Sequence, residues 1–69
     1  MNKQEMKNIV IDVERKNNPT ISNDVIENIL DDIKVTQHND STFIATGGLG
    51  VTALYTKSNN EWSISWSDG

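Results

Sequence analysis

At 69 residues the chain has room for one small core and no second, so residues 1–69 are read as a single domain. With no cysteine it has no disulfide, no thiolate metal site and no cysteine nucleophile, so packing or self-association must supply stability. The formal charge of -4 is uneven: residues 1–18 hold four basic and three acidic side chains, residues 19–69 two basic and seven acidic, and so acidic a surface excludes nucleic acid as a ligand for most of the molecule.

The first segment, "QEMKNIVIDVERK", repeats Met6, Ile9, Val10 and Val13 at helical spacing, with its charged residues mostly elsewhere on the wheel. A helix is the better reading, although Ile9-Val10-Ile11 also fits a buried strand and Ile11 lies off the helical stripe. "KNNPT" ends it, because Asn18 precedes Pro19 and is pushed out of helical angles. The next segment, "ISNDVIENILDDI", predicts a second helix capped by Ser22, with Asp24 in its first turn and a hydrophobic staple between Ile21 and Ile26. Val25, Ile26, Ile29, Leu30 and Ile33 form its apolar stripe.

From Lys34 the period changes to two, with β-branched and aromatic residues broken by "HNDS", "TGGLG" and "SNN", which predicts an antiparallel meander. In the first hairpin a two-residue Asn39-Asp40 turn pairs Val35 with Ile44, and a three-residue loop pairs it with Ala45. A three-residue loop at Gly47-Gly48-Leu49 sets Val51 opposite Ala45 and Ala53 opposite Phe43. A two-residue turn at Asn59-Asn60 sets Ser58 against Glu61, Lys57 against Trp62, Tyr55 against Ile64 and Ala53 against Trp66. Phe43, Ala45, Val51, Ala53, Tyr55, Trp62, Ile64 and Trp66 then share one face, which the second helix is expected to cover. The fold class is therefore α+β: two N-terminal helices packed on one face of a three- to four-stranded antiparallel β-meander.

The residues offer little for catalysis. His38, Asp40 and Ser41 are close in sequence, but adjacent turn residues seldom converge as a triad must, and polar turn chemistry explains them better. "TGGLG" lacks the Lys and Ser/Thr of a phosphate loop, and Asp31-Asp32 lacks the alternating oxygen ligands of a calcium loop. We expect no enzyme activity, no cofactor and no metal. Two helices followed by a hairpin superficially fit a winged-helix DNA reader, but the helix that would enter the groove is acidic.

Two surfaces remain. Asp24, Glu27 and Asp31, with Asp32 beside them, lie on a helix with no Lys or Arg among residues 22–33, the pattern of a face that meets a basic protein partner or one that is merely solvated. The other sheet face carries Thr36, Thr42, Thr52, Thr56, Ser63 and Ser65 with Ile44 and Leu54 among them, and that face or a sheet edge is a candidate for self-association as a homodimer. Neither a membrane-length apolar run nor the apolar stretch of a secretory signal occurs, so a cytoplasmic protein is expected. The leading expectation is a small regulatory or inhibitory interaction module using the acidic helix; in size and asparagine content it resembles accessory proteins of phages or plasmids. A non-catalytic homodimer is the alternative.

Overall fold

The computed structural model describes residues 1–47 and 52–68. Its elements are α1 (Lys3–Asn17), α2 (Asn23–Asp32), β1 (Lys34–Asn39), β2 (Thr42–Thr46), β3 (Thr52–Ser58) and β4 (Glu61–Asp68), and the strands form one antiparallel sheet in the order β1-β2-β3-β4. The fold is the expected α+β arrangement, with both helices N-terminal to a four-stranded meander.

Residues 3–17 are helical, not a strand. The Asn2 side chain accepts the Glu5 N–H at 2.8 Å, Arg15 and Lys16 complement the C-terminal dipole, and the Asn18 N–H closes the last turn on the Glu14 carbonyl. Met6, Val10 and Val13 form the buried stripe and Ile11 is only half-buried, so a three-residue apolar run does not outweigh the helical period around it. In α2 the Ser22 hydroxyl caps Val25, and the helix runs into β1 through Ile33, whose N–H still reaches the Ile29 carbonyl while its own backbone is extended. α2 has no basic residue in its last turn. Lys7 of α1 fills that role by donating from Nζ to the Leu30 carbonyl at 3.4 Å.

The core differs from expectation in its cover. Met6, Val10 and Val13 of α1 pack with Ile33, Val35, Phe43, Ala45, Ala53 and Tyr55, and α1 touches both edge strands, β1 and β4. From α2 only Ile26 is buried, outside that cluster, and Ile29 is partly buried against it. Helix α1 is therefore the principal lid of the sheet. Phe43 is the centre of the core at 0% exposure, stacked on Tyr55 with ring centroids 4.9 Å apart and tilted against Trp62 at 5.2 Å.

Register accounts for the other corrections. Val35 pairs with Ala45, the outcome of the longer first loop, but it is reached by a bulge between Gln37 and Asn39 followed by an Asp40-Ser41 turn. Between β2 and β3, Ala45 pairs with Ala53 and Phe43 with Tyr55, so Ala53 is not opposite Phe43, and residues 47–51 lie between the last paired residues. The expected position of Val51 falls outside the described residues. A slip of two residues keeps every side chain on its face, which is why the face assignments of Phe43, Ala45, Ala53 and Tyr55 survive a wrong loop length.

The third hairpin follows the Asn59-Asn60 turn, both residues at positive φ (54° and 62°), with Lys57 opposite Trp62 and Tyr55 opposite Ile64. One step on, the alternation breaks. Leu54 pairs with Trp66, leaving Ser65 as an extra residue, and Ala53 faces Ser67. Trp66 is consequently outside the core at 54% exposure, whereas Trp62 is half-buried against it. The expectation that both indoles are buried fails for Trp66 and holds only in part for Trp62.

Candidate interaction surface

Asp24, Glu27, Asp31 and Asp32 are all exposed, and none forms an ion pair with a described residue. The ion pair found among the described residues, Lys16 with Glu61, ties the end of α1 to the β3–β4 turn instead. Asp24, Glu27 and Asp31 follow the i, i+3, i+7 spacing of one helical stripe, so the structure brings three of the four together as a ridge. Asp32 does not join them. One residue further on is about 100° round the helix, which sets Asp32 in line with Val25, Asn28 and Ile29 on the side of α2 that overhangs the sheet.

Beneath that side lies a groove of about 500 Å³ that composition and motifs do not reveal. Its floor is the transverse row Ala45, Ala53 and Ser67, whose side chains are the smallest on the inner face; the next row, Phe43, Tyr55 and Ile64, is large. Val25, Ile29 and Ile33 form one wall, and Glu14 and Asp32 add carboxylates to the lining. No Lys, Arg or His is found among the described residues that line it. The pair of alanines was the available signal, but with Trp66 placed opposite Ala53 the indole would have filled the space.

Tyr55 is the polar group at the inner end. Its side chain is 3% exposed, and its phenol is pushed up to about 12, first by burial and then by the negative charge of Glu14. The Tyr55 Oη makes no hydrogen bond to a described residue, and Tyr55 lines the groove.

The opposite sheet face carries a second feature. Thr36, Ile44, Leu54 and Trp66 are mutual register partners and form one row across all four strands, with Ile44 36% exposed. Threonines 42, 46, 52 and 56 flank the row, and the Ser65 hydroxyl donates to Thr56 Oγ1 at 2.6 Å. The bulge that opens the groove on one face thus completes an apolar row on the other.

His38 is the exposed extra residue of the β1 bulge and makes no hydrogen bond to Asp40 or Ser41. The turn is organised by Asn39 instead, whose Oδ1 accepts from the Ser41 N–H and the Thr42 hydroxyl. Among the described residues no group of three or more His, Asp or Glu is placed to hold a metal ion, and no helix is long and apolar enough to cross a membrane. Comparison with protein-family models, with curated proteins and with solved structures gives no match.

Proposed function

We propose that this protein is a small, non-catalytic interaction module, regulatory or inhibitory, that binds an electropositive partner protein through the acidic side of α2. The observation that supports the reading is the state of the ridge: Asp24, Glu27 and Asp31 stand together, exposed, with no ion-pair partner among the described residues. Their like charges repel, and a partner's lysines and arginines would relieve that repulsion while steering the encounter over a screening length of about 8 Å. Because Asp24 to Asp31 spans about 10 Å of helix, the ridge matches a basic patch of a few side chains. The test is to replace Asp24, Glu27 and Asp31 together by Lys and compare partner capture from cell extract at low and high salt. Loss of a salt-sensitive partner supports the reading; identical, salt-insensitive capture by both proteins removes it.

The row Ile44–Leu54–Trp66 favours a second reading, a homodimer joined through the outer sheet face. An exposed tryptophan in line with two aliphatic side chains is self-complementary under a two-fold axis. Sedimentation that finds only monomer at high protein concentration excludes it.

A further inference from the structure

We infer that the groove under α2 receives a large apolar side chain of the partner flanked by Lys or Arg, so that the docking segment is amphipathic and basic. This rests on the reading of α2 as the partner-binding element and adds what is bound and where. The floor of Ala45, Ala53 and Ser67 leaves a hollow of about 500 Å³, within the range of sites that accept a small molecule or a few side chains. Val25, 45% exposed, is among the residues that line it and stands at its mouth. An apolar side chain entering there removes Val25, Ile29 and Ile64 from water, which is the favourable term.

Charge selects the flanks of that segment. Glu14 and Asp32 are the ionisable carboxylates of the lining and no described lining residue offsets them, so a neutral or acidic segment would cover both and leave them unpaired. A Lys or Arg on either side of the inserted residue pairs with them. The Tyr55 hydroxyl, buried at the inner end and without a described partner, supplies one hydrogen bond that a segment's backbone carbonyl can accept. A second copy of this chain fits poorly, because Trp66, the most exposed large apolar side chain among the described residues, stands two residues from Asp68 and would bring another carboxylate to the rim.

The test uses the full chain and three labelled peptides of about three helical turns: one alternating Lys and Leu in an amphipathic pattern, one with Glu for Lys, and one with Ser for Leu. Binding is read by fluorescence anisotropy and by backbone amide NMR shifts. The Lys/Leu peptide should bind at least about ten-fold more tightly than either control, with shifts at Ala45, Ala53, Tyr55 and Ile64. Glu14→Gln with Asp32→Asn should weaken it about five-fold, and Ala53→Leu, which fills the floor, about ten-fold. Should Ala53→Leu not fold, Val25→Ser at the mouth should weaken it about three-fold.

Unchanged affinity in these groove variants, or shifts confined to Ile44 and Trp66, overturns the inference. The ridge variant Asp24→Lys, Glu27→Lys, Asp31→Lys separates the two levels: if it alone weakens binding, the acidic helix stands and the groove falls; if no variant matters, both fall. A dimer in sedimentation that disappears in Ala53→Leu assigns the groove to a second copy and also overturns the inference.

Discussion

Ser67, not Trp66, stands opposite Ala53 across the β3–β4 pair. The displacement comes from one extra residue, Ser65, and it reverses the facing of everything after it in β4. Without the bulge, the inner row would run Val35, Ala45, Ala53, Trp66, with an indole compensating for two alanines. With it, a serine takes that place, the hollow under α2 stays open, and the indole joins Ile44 and Leu54 on the far side of the sheet. The groove on the inner face and the apolar row on the outer face are consequences of the same residue.

The tryptophans therefore report the bulge directly. In the folded protein iodide should quench Trp66 freely and Trp62 weakly, so a Stern–Volmer plot curves downward. Trp66→Phe should leave a single, poorly quenched, blue-shifted emission, and Trp62→Phe a single accessible one. Equal quenching in the two variants would contradict the paired register of β4.

Deleting Ser65 removes the bulge without turning the strand over. Ile64 then precedes Trp66 directly, and Leu54 opposite Trp66 and Ala53 opposite Ser67 fall into an unbroken ladder with Tyr55 opposite Ile64. Trp66 should keep its exposed emission and free quenching, and the groove should keep its affinity for the Lys/Leu peptide. A blue-shifted, poorly quenched Trp66 in the deletion variant would contradict the paired register of β4.

Much of this was legible in the chain. Ser22, Asn18-Pro19 and the 3.6-residue stripes mark both helices, and the Asn59-Asn60 turn gives the third hairpin its register as far as Ile64. Where the reading failed, no local signal was available. "SISWS" alternates without interruption, and nothing in it distinguishes Ser65 from Ser63 as the residue to be left over. The greater role of α1 was obscured because α2 has the stronger stripe, yet Val25 and Ile29 of that stripe are spent on the wall of a groove and Ile26 packs outside the main cluster. Among the site residues, the spacing of Asp24, Glu27 and Asp31 was sufficient to place them together. Separating Asp32 from them, and adding Glu14 and Tyr55, required the tertiary arrangement.

The β3–β4 turn offers a test of local backbone chemistry. Asn59 and Asn60 both hold left-handed angles, which asparagine tolerates and glycine adopts freely. Asn60→Gly should be neutral or stabilising by up to about 1 kcal/mol, whereas Asn60→Val should cost roughly 1–2 kcal/mol because a β-branched side chain collides with the backbone there. Urea denaturation of the two variants checks the order. A valine variant as stable as the parent would mean that the turn is not of this type.

Tyr55 links the groove to pH. Its phenol is raised to about 12 by burial and by Glu14, against an ordinary value near 10 in the unfolded chain. Below pH 10 the group is neutral in both states and contributes no slope. Between pH 10 and 12 the unfolded chain loses the proton first, the unfolded state is favoured by mass action, and stability falls as pH rises. A shift of that size corresponds to a decline of about 1–3 kcal/mol across this range. Urea midpoints measured from pH 8 to about 11.5 should be flat at first and then decline, and Tyr55→Phe should remove most of that decline. Glu14→Gln should lower the phenol's titration midpoint, read as phenolate absorbance, because it removes the charge that opposes ionisation. A midpoint that stays at the ordinary tyrosine value in the folded protein would place Tyr55 in water and leave the groove without its inner end.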